Sequence, residues 1–211
     1  MAALSLTDQV FDDADTGPVD PCSLFEDWFT LAQQNEPNDP HAMAIASVDD
    51  EGMPDVRMVL LNARDHRGFC FFTNLESDKA RQLLAHPKAA LVMHWKSLRR
   101  QIRVRGPVEV VADKEADAYF ATRSRASQIG AHASKQSRPL ANRYTLLERV
   151  ETLKKSFGED EPVQRPANWS GFRIVPQAME FWKDGANRLH DRVRFTRTLP
   201  DGAWSRQRLY P

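Results

Sequence analysis

The first 56 residues contain no lysine and no arginine, yet they hold 13 of the chain's 29 acidic side chains. All 29 basic residues lie from Arg57 to Pro211 against 16 acidic ones, so a formal net charge of zero hides stretches of −13 and +13. A cationic body attracts anions. Its cations are scattered along elements rather than packed in a run, and no nucleic-acid module motif is present, so small phosphorylated ligands fit better than nucleic acid. Cysteine is scarce as well. Cys22 and Cys70 share no close spacing with each other or with histidines, which excludes a disulfide framework and a zinc site and leaves two ordinary buried thiols. No run approaches the ~20 apolar residues of a membrane-spanning helix, and no basic region precedes an apolar block as in a secretory signal. The expectation is a soluble, cytoplasmic protein that uses no membrane.

Glycine is equally thin. The nine glycines are dispersed, so neither a dinucleotide fingerprint nor a phosphate-cradling P-loop can form, and any bound phosphate has to be held by side chains. Neither a G-x-S-x-G elbow nor an H-E-x-x-H helix occurs, and the histidines at 41, 66, 86, 94, 132 and 190 are too widely spread to specify a metal site. What is present suffices for a core: 211 residues, 41% hydrophobic and 27% charged, suit a globular fold.

Residues 1–19 are polar and acidic with no sustained apolar period, and are expected to form a flexible tail ahead of a single domain over 20–211. After Pro21, Leu24, Phe25, Trp28, Phe29 and Ala32 recur at helical spacing until the prolines of NEPNDP at 35–40. Strand patterns follow at 41–48 and 54–61, joined by an Asp-Asp-Glu-Gly turn, and then at 68–73, 89–95 and 99–111. In the last of these, Ile102 and Val104 alternate with Gln101, Arg103 and Arg105, and Gly106-Pro107 interrupts as a bulge or edge position. Helices are predicted at 76–86, 114–122 and 141–157, the last with a capping box over Thr145–Glu148. Four short strands close the chain at 171–176, 179–183, 193–198 and 203–209. About eight strands without regular strand-helix alternation predict a mainly β fold with helices (α+β), an antiparallel barrel rather than a doubly wound parallel sheet.

Three constellations carry candidate chemistry. RMVLLN at 57–62 starts an apolar strand with a cation, putting Arg57, Val59 and Leu61 on one face and Met58, Leu60 and Asn62 on the other; by itself this is compatible with a surface arginine beginning a core strand. Tyr119 to Gly130 gathers a phenol, Arg123, Arg125 and hydroxyls within a few turns. Such a set can grip a phosphate dianion through paired charge-assisted bonds, or can form a solvated helix end. Glu180-Phe181-Trp182-Lys183 followed by Arg188-Leu189-His190-Asp191-Arg192 brings together an aromatic face, two guanidiniums and an imidazole. Arginine can stack on the ring or hold developing negative charge, and histidine can move protons near neutral pH. A strand-turn-strand with an exposed ion pair would read the same way.

Taken together, RMVLL, FFTNLES, RRQIRVRGPVE, SQIGA, SKQS, EFW and RLHDR, in this order over residues 22–211, resemble the pyridoxamine 5′-phosphate oxidase family of FMN-dependent split-barrel flavoproteins. The resemblance implies an antiparallel split β-barrel and a homodimer with FMN in clefts between subunits. It implies that Arg57, Lys79 and Ser137 hold the FMN phosphate and ribityl chain, and that Met58, Val59, Leu60, Phe72, Thr73, Gln101, Gln136, Trp182 and Arg192 line the rest of the flavin site. Tyr119, Arg123 and Ser127 would hold the substrate phosphate, with Asn62 beside them, and Arg188 and His190 would face the pyridine ring as catalytic groups. The implied reaction oxidises pyridoxamine or pyridoxine 5′-phosphate at C4′ to pyridoxal 5′-phosphate, reducing dioxygen to hydrogen peroxide. A split-barrel flavoenzyme with another substrate, and a non-catalytic protein binding FMN or pyridoxal phosphate, are the alternatives.

Two positions depart from the family pattern. Asn62 stands where a lysine is usual, which removes a cation near the substrate phosphate and implies weaker substrate binding. Asp78 stands where an arginine usually precedes Lys79, which implies looser FMN unless its carboxylate points outward. The N-terminal segment is acidic where the family often carries basic and tyrosine residues that cover the site.

Overall fold

The computed structural model describes residues 5–11, 19–158 and 161–211. Its ten strands are held together by one long strand that changes partners. This strand, β6 (Arg100–Val110), follows β1 (Ala42–Val48), β2 (Pro54–Leu60), β3 (Ala63–Asp65), β4 (Gly68–Asn74) and β5 (Lys88–Trp95). After it come β7 (Trp169–Ile174), β8 (Ala178–Lys183), β9 (Asp191–Thr196) and β10 (Ser205–Leu209). On one side β6 pairs with β5 along Arg100–Pro107. On the other, Arg100–Arg105 pair with β8 while Val108–Val110 pair with β7, so the sheet forks at Gly106-Pro107. The strand is therefore not broken there, as the sequence suggested; its ladder switches. A Cβ on Gly106 would lie 1.8 Å from the Val175 carbonyl oxygen, so only glycine admits the crossing chain.

One branch runs β10-β9-β8-β6-β5-β1-β2 and the other β6-β7-β4-β3, all antiparallel. Period-2 alternation sends Met43, Ile45, Leu91, Met93, Ile102, Val104, Met179, Phe181, Val193 and Phe195 into the barrel core. Strands β4 and β7 are buried on both faces, which explains the unbroken apolar run GFCFFT. Their inner residues Phe71 and Phe172 join the main core, while Phe72 and Trp169 meet a second cluster with Phe120, Ile129 and Val163.

Helix α2 (Pro21–Asn35) plugs the barrel with Leu24, Phe25, Trp28 and Phe29, and Asp20 caps it by accepting from the Cys22 and Ser23 amides. Ahead of it, α1 (Leu6–Phe11) lies inside the segment expected to be a flexible tail. Val10 and Phe11 are buried, Phe11 stacks on Trp28 at 5.7 Å, and the Trp28 indole donates to Thr7 Oγ1 at 2.9 Å. Residues 5–11 are thus packed on the body; the rest of the expected tail up to residue 18 lies outside the described residues. Helix α3 (Asp78–Ala85) follows β4, and α4 (Asp113–Thr122), α5 (Arg125–Ala133) and α6 (Arg143–Ser156) fill the long connection from β6 to β7. The cap of α6 is Asn142, whose side chain accepts from the Thr145 amide, so the helix starts a turn before the predicted capping box. Cys70 is buried but Cys22 only half-buried; burial, then the nearby Asp20 charge, push the Cys22 thiol up to about 11. No described helix is long and apolar enough to cross a membrane.

Candidate active site

A cleft of about 660 Å³ opens between edge strand β2, the end of β4 and helices α3, α4 and α5. Strand β2 supplies an apolar wall: Met58 and Leu60 are 64% and 43% exposed, while Leu61 turns into the core. Asn62 follows, its Oδ1 accepting from the Phe72 amide at 3.2 Å, and it too lines the cleft. Phe72 forms a stack with Tyr119 at 4.2 Å and Trp169 at 5.2 Å, all nearly parallel. Aromatic and aliphatic walls with a few fixed polar groups are what a planar heteroaromatic ring requires.

Two polar groups in this cleft are poised for anions. Lys79 is 8% exposed and its ammonium reaches only the Thr73 hydroxyl, at 3.3 Å; among the described residues it forms no salt bridge. Burial, then the nearby Arg57 charge, hold its pKa below the ordinary lysine value. Gln136 closes on the same hydroxyl at 3.2 Å. Arg57 itself does not line the cleft. Its guanidinium is held by Ser47 Oγ at 2.6 Å, Gln82 Oε1 at 2.9 Å and the Asp55 carboxylate. Ser137, with φ 68°, accepts from the Asp78 amide at the start of α3. The Asp78 carboxylate pairs with Arg81 one turn along the helix, outside the cleft lining.

The second group is Arg123, whose guanidinium lies over Trp169 at 4.8 Å and whose buried Nη1 has no hydrogen-bond partner among the described residues. Burial lowers its pKa and raises that of neighbouring Tyr119. Ser124 caps α5 and its hydroxyl bonds Ser127 Oγ at 2.8 Å, placing these hydroxyls beside the guanidinium in the cleft lining. An unpaired buried guanidinium nitrogen is costly unless an anion meets it.

Besides Arg57 and Ser137, which stand beside the cleft without lining it, five of the expected residues lie elsewhere. Gln101 on β6 pairs in register with Trp182 on β8, and Trp182 with Arg192 on β9, so the three share one outward face. The Trp182 ring lies 4.7 Å from that of His190. Arg192 donates through Nε and Nη2 to Glu180 Oε1, at 3.0 and 2.8 Å. Arg188 is exposed at the tip of the 184–190 loop, where it and Asn187 both adopt left-handed φ, 64° and 56°. None of these five lines the cleft. In the strand order β8-β6-β5-β1-β2, three strands stand between β8, which carries Trp182, and β2, which walls the cleft.

Residues 29–156 match the family model described as pyridoxamine 5′-phosphate oxidase, and 169–211 match that of the pyridoxine 5′-phosphate oxidase C-terminal dimerisation region. The chain belongs to the pyridoxamine 5′-phosphate oxidase family. A relative named pyridoxine/pyridoxamine 5′-phosphate oxidase from Rhizobium leguminosarum bv. trifolii (strain WSM2304) is 54% identical over 100% of both chains. One of the same name from Gluconobacter oxydans (strain 621H) is 58% identical over 92% of this chain and 95% of its own. Among solved structures, PhzG from Burkholderia lata 383, in complex with tetrahydrophenazine-1-carboxylic acid, superposes with a TM-score of 0.85 at 28% identity, covering 93% of this chain and 95% of its own. A pyridoxamine 5′-phosphate oxidase-related, FMN-binding protein from Nostoc punctiforme PCC 73102 shares the fold, with a TM-score of 0.74 at 14% identity over 92% of this chain and 100% of its own. The fold is that of the family's split barrels.

Within this family framework, Trp182, Arg188, His190 and Arg192 all fall in the segment that matches the dimerisation region, whereas the cleft draws mainly on the preceding part. Sequence reasoning passed over Trp169, because the strand expected over 171–176 begins at the tryptophan itself. It also gave no role to Asn74 or Ser134, whose short polar side chains carry little signal outside their cleft setting.

Proposed function

We propose that this chain is an FMN-dependent oxidase of pyridoxamine and pyridoxine 5′-phosphates, acting as a homodimer in the cytoplasm. The observation that carries this reading is a single cleft, walled by aromatic and aliphatic side chains, that two separate anion-seeking groups, Lys79 and Arg123, both line. One phosphate belongs to the cofactor and one to the substrate. The activity named for the chain's relatives agrees with it.

The residues fit FMN. Lys79 is a buried cation with no salt bridge among the described residues, Thr73 and Gln136 offer hydrogen bonds beside it, and Met58, Val59 and Leu60 form an apolar wall for the ring. Arg57 and Ser137 stand next to this group and complete the phosphate side. When bound, FMN would supply the two-electron redox chemistry that couples oxidation at substrate C4′ to reduction of dioxygen to hydrogen peroxide. Arg123, Tyr119 and Ser127 hold the substrate phosphate by charge-assisted hydrogen bonds, and Asn62 adds a neutral donor. Gln101, Trp182, Arg188, His190 and Arg192 reach the ring from a second protomer, Arg188 orienting the pyridine and His190 handling its proton. For the amine, water and loss of ammonia complete the conversion to pyridoxal 5′-phosphate. The protein's part is position and charge.

The test is reconstitution. Protein mixed with FMN should turn yellow with a bound-flavin spectrum and release hydrogen peroxide on addition of pyridoxamine 5′-phosphate. Bound flavin without peroxide or pyridoxal phosphate would refute the oxidase reading.

A further inference from the structure

The loop between β8 and β9 contains an acid, Asp184, outside the residues assigned to cofactor or substrate. Asp184 follows directly on β8, its carboxylate is 18% exposed, and its amide donates to the Arg99 carbonyl at 3.1 Å. Oδ2 pairs with the Arg99 guanidinium, and Oδ1 lies 3.1 Å from His190 Nδ1. The loop returns so tightly that a Cβ on Gly185 would sit 2.0 Å from the Leu189 carbonyl oxygen, and the Leu189 amide closes on Ala186 O at 3.0 Å. His190 is thereby trapped between Asp184 and the Trp182 ring, and its Nε2 has no hydrogen-bond partner among the described residues.

Two groups compete for Nδ1. The Gly185 amide points at the same nitrogen from 3.2 Å. One nitrogen of a neutral imidazole cannot donate to a carboxylate and accept from an amide at once, so the two contacts demand opposite tautomers. A charge-assisted bond to a carboxylate held in place by Arg99 outweighs a neutral bond from a backbone amide.

We infer that Asp184 is a positioning residue that holds His190 as the Nδ1–H tautomer, leaving Nε2 with its lone pair free to accept a proton; the catalytic use of that lone pair rests on the function proposed above. Without the carboxylate, the Gly185 amide takes Nδ1, the proton moves to Nε2, and the imidazole presents a donor where an acceptor is required. Arg188, in the same closed loop, keeps its place in either case because the Gly185 and Leu189 contacts remain.

The experiment is nitrogen NMR of protein labelled with 15N-histidine, with FMN bound and at a pH where imidazoles are neutral, His190 being assigned by comparison with His190→Gln. Wild type should show the Nδ1–H pattern, and Asp184→Asn the Nε2–H pattern. In the oxidase assay Asp184→Asn should lower kcat roughly tenfold or more, leave KM within about threefold, and be partly rescued by Asp184→Glu. A wild-type Nε2–H pattern overturns the inference without recourse to any variant. So does an Asp184→Asn protein that keeps the wild-type tautomer, or one that inverts it with kcat unchanged. A wild-type protein that shows the Nδ1–H form but oxidises no pyridoxamine phosphate refutes the proposed function and leaves the tautomer assignment standing.

Discussion

At the scale of single residues, Lys79 sets stability against function. Its pKa lies below the ordinary lysine value in the folded chain, through burial and then the Arg57 charge. Between that lowered value and ~10.5 the unfolded chain binds more protons than the native one, so this group's contribution to stability rises with pH across that window. Below the window the cost is present in full. Lys79→Met should therefore raise the Tm of the FMN-free protein at pH 7, and the advantage should shrink as pH climbs toward 10.5; a calorimetric pH series checks it. The same change should weaken FMN binding about 10- to 150-fold, the equivalent of ~1.5–3 kcal/mol for a hydrogen bond to a charged group, measured by flavin fluorescence quenching. Asn62 shows the converse trade. Asn62→Lys should lower KM for pyridoxamine 5′-phosphate about tenfold at low salt by adding a cation beside Arg123. It forfeits the Phe72 amide bond, about 1 kcal/mol, so Tm should fall by roughly 2–4 °C. The Asp78 departure is milder than its charge suggests, since Arg81 pairs with that carboxylate outside the cleft lining.

At the scale of elements, the fork in β6 is where a small change has the largest effect. Gly106→Ala places a methyl carbon against the Val175 carbonyl, and neither strand can withdraw without breaking the Val175–Pro107 and Gln177–Arg105 hydrogen bonds that flank it. A loss of about 3 kcal/mol or more is expected, read as a lower midpoint in urea with little change in slope. Why a glycine stands there was not legible from the chain, because the constraint comes from residue 175, far away in sequence. The alternation in β6 was legible, since Ile102 and Val104 face the core and Arg103 and Arg105 do not. Helix α5 went unread: Gly130 and its polar neighbours mask the period, and its start depends on the Ser124 cap. Helix α1 has six residues, too few to hold by themselves, and exists through Phe11 on Trp28 and through Arg208 donating to the Phe11 carbonyl at 2.7 Å. Met58, Val59, Leu60, Phe72, Thr73 and Lys79, which the motifs singled out, meet in the cleft because they project from regular strands and a helix. Asp184 escaped because its role depends on Arg99 and His190, brought in by loops, and Trp169 because its stacking partners Phe72 and Tyr119 come from distant elements.

At the scale of the whole molecule, the decisive fact is that one chain holds the candidate site residues in two places. Arg123 belongs to the cleft beside β2, while Arg188 and His190 lie in the loop between β8 and β9, outside the cleft lining. If each working site takes the cleft of one protomer and the loop of the other, two different inactive variants should rescue one another. Arg123→Ala spoils only the cleft, and Arg188→Ala only the loop. A heterodimer of the two contains one site with both defects and one with neither, because the intact cleft of the second chain meets the intact loop of the first. Random reassortment makes half the dimers heterodimers, each with one of its two sites restored, so a mixture of the two dead proteins should recover about a quarter of wild-type kcat per chain. Unmixed controls should stay inactive. Were each site built within one chain, every heterodimer would carry two dead sites and mixing would restore nothing, so one measurement of peroxide release after subunit exchange decides between the two arrangements.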